Sequence, residues 1–206
     1  MHAPKKIKEL FMKKIFMAIT FSAMTILSSV HANAGSLSEK LGDGYIGVGL
    51  GGFNLNLGSD FKKTAFGGYI KGGTDINEWL GAELRVGLTG SAKKSIVGGG
   101  TAKGSASWFI SYLLKPQYTF SDTARVYALI GGTTARIKTS VTGFPSDKFT
   151  KTGITYGVGG EYVVADNIAL GVEWVKYWHR VSVDSTKYVG GKAKMWGATG
   201  TLTYLF

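Results

Sequence analysis

His179, followed closely by Ser182 and Asp184, is the place where this 206-residue chain groups a base, a hydroxyl and a carboxylate. His2 and His31 fall in the first 34 residues, so His179 is the only histidine of the remainder. A nucleophile, a general base and an orienting acid are the parts of an acyl-transfer or hydrolytic site. In a strand, however, residues 179 and 182 project to opposite faces, which weakens direct pairing. The plainer reading is a histidine near the polar end of its strand. No catalytic set is therefore assigned, and His179 stays as the single low-ranking candidate. One histidine and no cysteine give no transition-metal set, so neither a metal nor a cofactor is expected. Gly47-Val48-Gly49-Leu50-Gly51-Gly52 matches G-x-G-x-x-G literally. A dinucleotide fingerprint needs a helix opening after it. Here Phe53, Leu55 and Leu57 continue an apolar alternation, so these are strand glycines.

A second set of chemically capable groups is dispersed. Lys71, Glu83, Arg85, Lys115, Arg136, Glu161 and Glu173 each lie inside a long alternating segment, on the face opposite the apolar one. Four bases and three acids sharing one face call for an enclosed lumen where they pair. A structural ion-pair plug is favoured over an ion or proton pathway because a narrow barrel is filled by side chains. Lys176 departs from the pattern, since its parity points it outward; a rim position or a bulge would accommodate it.

The elements that position these groups are strands. After Gly35 no apolar run approaches the roughly 20 residues of a spanning helix, and alternation of period two dominates. Eight segments are expected, at about 44–57, 62–74, 79–91, 103–120, 124–139, 151–164, 168–183 and 191–206. The connections at 75–78, 121–123 and 165–167 are tight, whereas 92–102, 140–150 and 184–190 read as longer loops. The connection near 58–61 is short on the side that should be long. Alternating short turns and longer loops organise outer-membrane barrels, the short side being periplasmic. Along the last segment, Trp196, Ala198, Gly200, Leu202, Tyr204 and Phe206 oppose Gly197, Thr199, Thr201, Thr203 and Leu205. Tyr118, Phe120, Tyr127, Tyr162 and Tyr204 lie near short turns or the C-terminus, and Trp174, Trp178 and Trp196 toward the opposite rim. Two aromatic belts flanking an aliphatic band are expected of a barrel that spans a bilayer.

Composition agrees. Hydrophobic residues make up 44% and charged residues only 18%, which disfavours disorder, and 31 Gly against three Pro suits a crowded, curved barrel wall. Lys13-Lys14, the apolar stretch Ile15 to Val30 and His31-Ala32-Asn33-Ala34 form a secretory signal peptide, with cleavage expected between Ala34 and Gly35. Met12 is an alternative start. The expected domains are thus 1–34, a removed signal peptide, and 35–206, one barrel. Loss of five Lys and one Glu with the signal takes the net charge from +11 to +7. The longest basic runs left are Lys62-Lys63 and Lys93-Lys94, which suit loop tips or anionic headgroups and not a nucleic-acid track.

Gly68-Tyr69, Trp79-Leu80-Gly81-Ala82-Glu83-Leu84, Lys115-Pro116-Gln117-Tyr118, Val126-Tyr127-Ala128, Tyr156-Gly157-Val158-Gly159-Gly160-Glu161-Tyr162 and Asn167-Ile168-Ala169-Leu170-Gly171-Val172-Glu173-Trp174 resemble, in order and spacing, the outer-membrane β-barrel superfamily. That superfamily includes OmpX, Ail, NspA and the transmembrane domain of OmpA. The resemblance covers about residues 40–206 and implies an eight-stranded antiparallel up-and-down transmembrane barrel in the bacterial outer membrane. It implies interior carboxylates at Glu83, Glu161 and Glu173. Leu202, Tyr204 and Phe206 resemble the C-terminal signal read by the barrel-assembly machinery. The chain stops at the last strand, so the peptidoglycan-binding domain of full-length OmpA, and wall anchoring with it, is not expected. Fold alone does not fix function. The expected function is a non-enzymatic surface protein whose loops, especially 92–102 and 140–150, contact lipopolysaccharide or an extracellular partner. The alternatives are a lipid A-modifying enzyme centred on His179, a small pore, and a soluble lipocalin-like barrel with its apolar face inside.

Overall fold

A computed structural model describes residues 44–57, 61–96, 100–141, 145–186 and 189–206. The segment 1–34 expected as a signal, and the expected cleavage residues Ala32, Ala34 and Gly35, lie outside the described residues. Every regular element among those described is a strand: β1 Gly44–Leu57, β2 Phe61–Asn77, β3 Leu80–Thr89, β4 Ala92–Ile96, β5 Gly100–Ser121, β6 Ala124–Val141, β7 Asp147–Ala165, β8 Ile168–Thr186 and β9 Val189–Leu205. Apart from β3 and β4, neighbours in sequence pair antiparallel, and β1 pairs with β9, from Tyr45 opposite Leu205 to Leu57 opposite Ala193. Both β3 and β4 lie along the single strand β5, which closes the ring. Nine strands therefore make eight staves, one of them interrupted at Gly90-Ser91. Toward the short turns every described strand is paired on both sides, whereas at the far end β4 pairs only with β5, and Phe61–Phe66 of β2 pair only with β1.

The strands are longer than a bilayer needs. β5 has 22 residues and β7 and β8 have 19 each. A spanning strand needs only about 9–11 residues. The excess lies on the side away from the short turns. Segments 92–102 and 140–150, expected as loops, are largely ladder: Ala92–Ile96 pairs with Gly100–Gly104, and Thr139 still pairs with Asp147. Beyond the hydrocarbon both faces of a strand can be polar, so the alternation that marks a strand disappears while its hydrogen bonds persist.

The two faces of the wall differ in kind. Ile46, Val48, Leu50, Phe66, Leu84, Val86, Leu88, Ile130, Val158, Val172 and Leu202 point outward and are exposed. Inward positions carry the charged, hydroxyl and aromatic groups of the lumen. A soluble barrel would not leave so large an aliphatic band in water; a bilayer accepts it.

Glycine lets the lumen hold large rings. Tyr45 lies opposite Gly73, Tyr69 opposite Gly49, Phe109 opposite Gly87 and Tyr127 opposite Gly159 in the ladder. A Cβ at Gly49 would stand 2.2 Å from the Tyr69 ring, and one at Gly87 2.4 Å from that of Phe109. The ring occupies the space that the glycine leaves empty.

Three expected orientations are corrected. On β6 the inward parity is Arg125, Tyr127, Leu129, Thr133, Ala135 and Ile137, so Tyr127 is buried in the lumen and absent from the belt, while Arg136 is exposed on the outer face. Both faces of this strand carry apolar residues, Val126 and Ile130 outward against Leu129 and Ile137 inward, so alternation left its phase open. Trp178 is the third. Register shifts on either side of it, between Lys176 and Val181, turn both Tyr177 and Trp178 inward.

Candidate functional site

The half of the lumen toward the short turns is an ion-pair network. Glu173, on β8, accepts from Arg85 Nη1 at 2.7 Å and Nη2 at 3.1 Å, from Tyr69 Oη at 2.6 Å, from Tyr127 Oη at 2.7 Å and from Lys71 Nζ at 3.4 Å. Arg85 Nε also donates to Glu83 at 2.5 Å, and Tyr45 Oη to Glu83 at 2.8 Å. A second group lies beside it. Arg125 donates through Nε to Glu161 and through Nη1 to Asp75 at 2.6 Å. Lys115 Nζ stands 3.8 Å from Glu161, over the rings of Tyr45 at 4.5 Å and Tyr127 at 4.7 Å.

Of the seven residues expected to share this lumen, the structure brings together Lys71, Glu83, Arg85, Lys115, Glu161 and Glu173, and leaves Arg136 outside. Sequence reasoning missed Arg125 and Asp75. With them the network has four cations, Lys71, Arg85, Lys115 and Arg125, against four anions, Asp75, Glu83, Glu161 and Glu173, all buried. Balance is what a low-dielectric interior demands, since an uncompensated buried charge is costly. The imbalance of the expected set, four against three, was a signal that one member was wrong.

The half away from the short turns is closed by rings. Phe53, Phe109 and Tyr177 pack with centroids 5.2–5.8 Å apart. Leu55, Leu129, Ile137, Val175, Ala193 and Met195 complete this layer, and Trp178 Nε1 donates to the Thr133 carbonyl at 3.0 Å. Tyr69 joins the two halves: its edge meets Phe109 at 6.4 Å while its hydroxyl serves Glu173.

On the outside, Tyr118, Phe120, Tyr162 and Phe206 are exposed near the short turns, with Tyr204 half-buried against Phe206. Trp79, which the expected belts omitted, stacks on Tyr118 at 5.8 Å. Trp174 is exposed and Trp196 half-buried on the same face. Leu202, Tyr204 and Phe206 share the outward parity of β9. An apolar groove of about 880 Å³ runs over this wall between Tyr118 and Trp174, above Gly160. It opens outward and belongs to the bilayer-facing surface.

His179 is exposed, on the outer face. Its Nδ1 lies 3.1 Å from Tyr156 Oη, and Lys176 Nζ lies 5.8 Å from the Tyr156 ring. Ser182 is exposed; the Asp184 side chain lies outside the described residues. The partner of the histidine is thus a phenol of the neighbouring strand, and among the described residues no serine or threonine hydroxyl hydrogen-bonds to it.

Exposed charge is sorted by end. Among the described side chains the exposed acids are Glu78, Asp122 and Asp166, all in or beside short turns. The exposed bases lie toward the other end: Lys62 and Lys63 on β2, Lys93 and Lys103 around the β4–β5 ladder, Arg136 and Lys138 on β6, Lys148 on β7, and Arg180 and Lys192 on β8 and β9.

A closed ring of eight staves with a charged lumen and an aliphatic exterior is the form of an outer-membrane barrel, and sequence comparison decides the family. The outer membrane protein β-barrel domain family matches residues 20–204. The chain belongs to that family. It is accordingly a protein of the bacterial outer membrane, crossed by its strands. No curated relative matches at the sequence level. Solved structures agree in fold. Neisserial surface protein A (NspA) superposes with a TM-score of 0.60 at 13% identity, over 79% of this chain and 97% of its own. Ail of Yersinia pestis, in complex with the heparin analogue sucrose octasulfate, gives 0.52 at 16% identity, over 80% and 99%. The N-terminal barrel domain of Pseudomonas aeruginosa OprF gives 0.50 at 14%, over 80% and 99%. At these identities the likeness is one of fold.

Proposed function

We propose that this outer-membrane barrel is a non-enzymatic surface protein, a rigid wall whose extended far end contacts lipopolysaccharide and polyanionic partners outside the cell. The observation that carries the reading is the sorting of exposed charge: bases toward the far end, acids beside the short turns. The lumen supports it as well, because its charges are engaged with one another and the aromatic layer covers them. The contact surface lies on strands as much as on loops, since Ala92–Ile96 and Gly100–Gly104 form ladder where loops were expected. Ail binding a sulfated sugar is said of Ail; here the exposed Lys93, Lys103, Arg136 and Lys138 make the same ligand chemistry the one to test.

The test is attachment of cells expressing the protein to a heparin-coated surface. We expect attachment that falls steeply with salt and is lost on changing Lys103 and Lys138 to Gln. Cells that do not attach at low ionic strength overturn the reading. Planar-bilayer recordings should show no defined conductance. His179→Ala should leave the lipid A profile of expressing cells unchanged, because among the described residues the exposed histidine is bonded to Tyr156 and to no serine. The N-terminal segment completes the proposal: it acts as a cleaved signal, so the mature protein begins at Gly35, and Phe206 with Tyr204 and Leu202 serves recognition by the assembly machinery.

A further inference from the structure

Most outward residues of the spanning wall are aliphatic or aromatic, yet Lys176 stands among them, half-buried, opposite Tyr156 on β7 and Trp196 on β9. Its level explains how this is tolerated. Eight residues separate it from Ile168 at the short-turn end, which in a tilted strand places its Cα about 20 Å along the barrel axis. The apolar band of such barrels is about 25 Å tall, so a lysine there reaches the outer headgroup boundary with its side chain. Around it lie groups suited to one kind of ligand. Tyr156 presents a ring 5.8 Å from Lys176 Nζ and a hydroxyl 3.1 Å from His179 Nδ1, and Arg180 follows, exposed. Among the described side chains no acid is exposed on this part of the wall.

We infer that Lys176, Tyr156, His179 and Arg180 form a binding site for a phosphate group of the glycolipid that makes the outer leaflet. A phosphate brings oxygens that accept from ammonium, guanidinium, phenol and imidazole together, and charge-assisted bonds of this kind are the strong ones. Trp196 supplies an amphipathic ring at the same level, against which the glycolipid's sugar and first acyl carbons rest. The phosphate in turn satisfies a cation that would otherwise face the hydrocarbon edge. This rests on the outer-membrane placement and on the contact with lipopolysaccharide proposed above, and is independent of any partner outside the cell.

The experiment is native mass spectrometry of the folded, detergent-extracted protein with bisphosphorylated lipid A and with the same lipid freed of its phosphates. The heat-modifiable electrophoretic shift confirms folding of every variant. We expect the phosphorylated form to be retained about ten-fold better, as one good charge-assisted contact provides. The double change Lys176→Gln and Arg180→Gln should abolish that preference, His179→Gln should reduce it, and Lys62→Gln with Lys63→Gln on β2 should preserve it. Equal retention of the two lipids, or a preference unchanged in the Lys176/Arg180 variant, overturns the site. Equal loss in the β2 variant would show a diffuse field in place of a site and also overturns it, as would displacement by millimolar inorganic phosphate. Attachment to heparin is read separately in cells, so either proposal can fail alone.

Discussion

The two halves of the lumen solve the same filling problem with opposite chemistry. Toward the short turns, eight charges and three tyrosines hold one another; toward the far end, Phe53, Phe109, Tyr177 and Trp178 pack with aliphatic neighbours. The wall is built alike in both, each with large rings resting on glycines of the next strand, as Tyr127 on Gly159 and Phe109 on Gly87. The difference lies in what a missing side chain leaves behind. In the charged half it leaves an ion without its counter-ion, and in the aromatic half an apolar void. Buried ion pairs contribute little net stability when intact and cost much when broken. The charged half therefore gains specificity of arrangement, and the aromatic half gains packing energy.

The comparison is broken most sharply at Glu173, which serves Arg85, Lys71, Tyr69 and Tyr127 at once. Glu173→Ala leaves two cations to share Glu83, and should lower stability by about 5 kcal/mol, near the top of the range for breaking a buried pair. Urea unfolding of the protein in phospholipid vesicles reads this directly. A loss below about 1 kcal/mol would show that water reaches the network and screens it.

Next comes a pair of arginines eleven positions apart on one strand. Arg125→Gln strips Asp75 of its partner and leaves Glu161 to Lys115, so a loss of about 3 kcal/mol is expected. Arg136→Gln, on the exposed face, should leave the unfolding midpoint where it was. If the loss falls on Arg136→Gln and Arg125→Gln is neutral, the phase of β6 is reversed and with it the composition of the lumen.

These arginines also mark how far the sequence could be read. The eight staves and six of the eight lumen charges follow from alternation, because a charge in a spanning strand has one affordable direction. Alternation failed where it had no contrast. β6 sets Val126 and Ile130 against Leu129 and Ile137, so its phase is decided by Arg125 pairing with Glu161 across the ladder, a long-range contact that no window contains. Asp75 falls at the end of β2, beside the register shift to Asn77, and reads as part of a turn. Trp178 follows a register shift that period two cannot register. The stretch Ala92–Ile96, with Lys93, Lys94 and Ser95 in succession, carries no apolar alternation and so reads as loop although it pairs with Gly100–Gly104. The pairing of His179 with Tyr156 was equally hidden, since it joins two strands.

In the aromatic half, Phe109→Ala removes the ring common to the contacts with Phe53, Tyr69 and Tyr177. A buried Phe truncated to Ala costs about 3 kcal/mol through lost transfer energy and the cavity left behind. Its signature differs from that of Glu173→Ala: the void should be refilled by a small apolar ligand, so benzene in the buffer restores part of the midpoint in this variant and none in the other. Recovery in both, or in neither, would remove the distinction between the halves.

The smallest effect tests what the halves share. A Cβ at Gly159 would lie 2.6 Å from the Tyr127 ring, so Gly159→Ala must push that ring aside and disturb the hydroxyl that Glu173 accepts. Overpacking of this sort costs about 1–3 kcal/mol. Gly87→Ala meets the Phe109 ring at 2.4 Å but also the Gly68 carbonyl at 2.6 Å, and there no ionic hydrogen bond is at stake. Gly200 supplies the reference: a Cβ there meets nothing within 4 Å, on the outer face, and Gly200→Ala should fold and unfold as the parent does. If Gly200→Ala is as harmful as Gly159→Ala, the glycines serve the curvature of the backbone and not the seating of rings. If only the two lumen variants suffer, the glycine and its ring form the unit from which both halves are made, and the choice of ionic or aromatic filling is laid over a common wall.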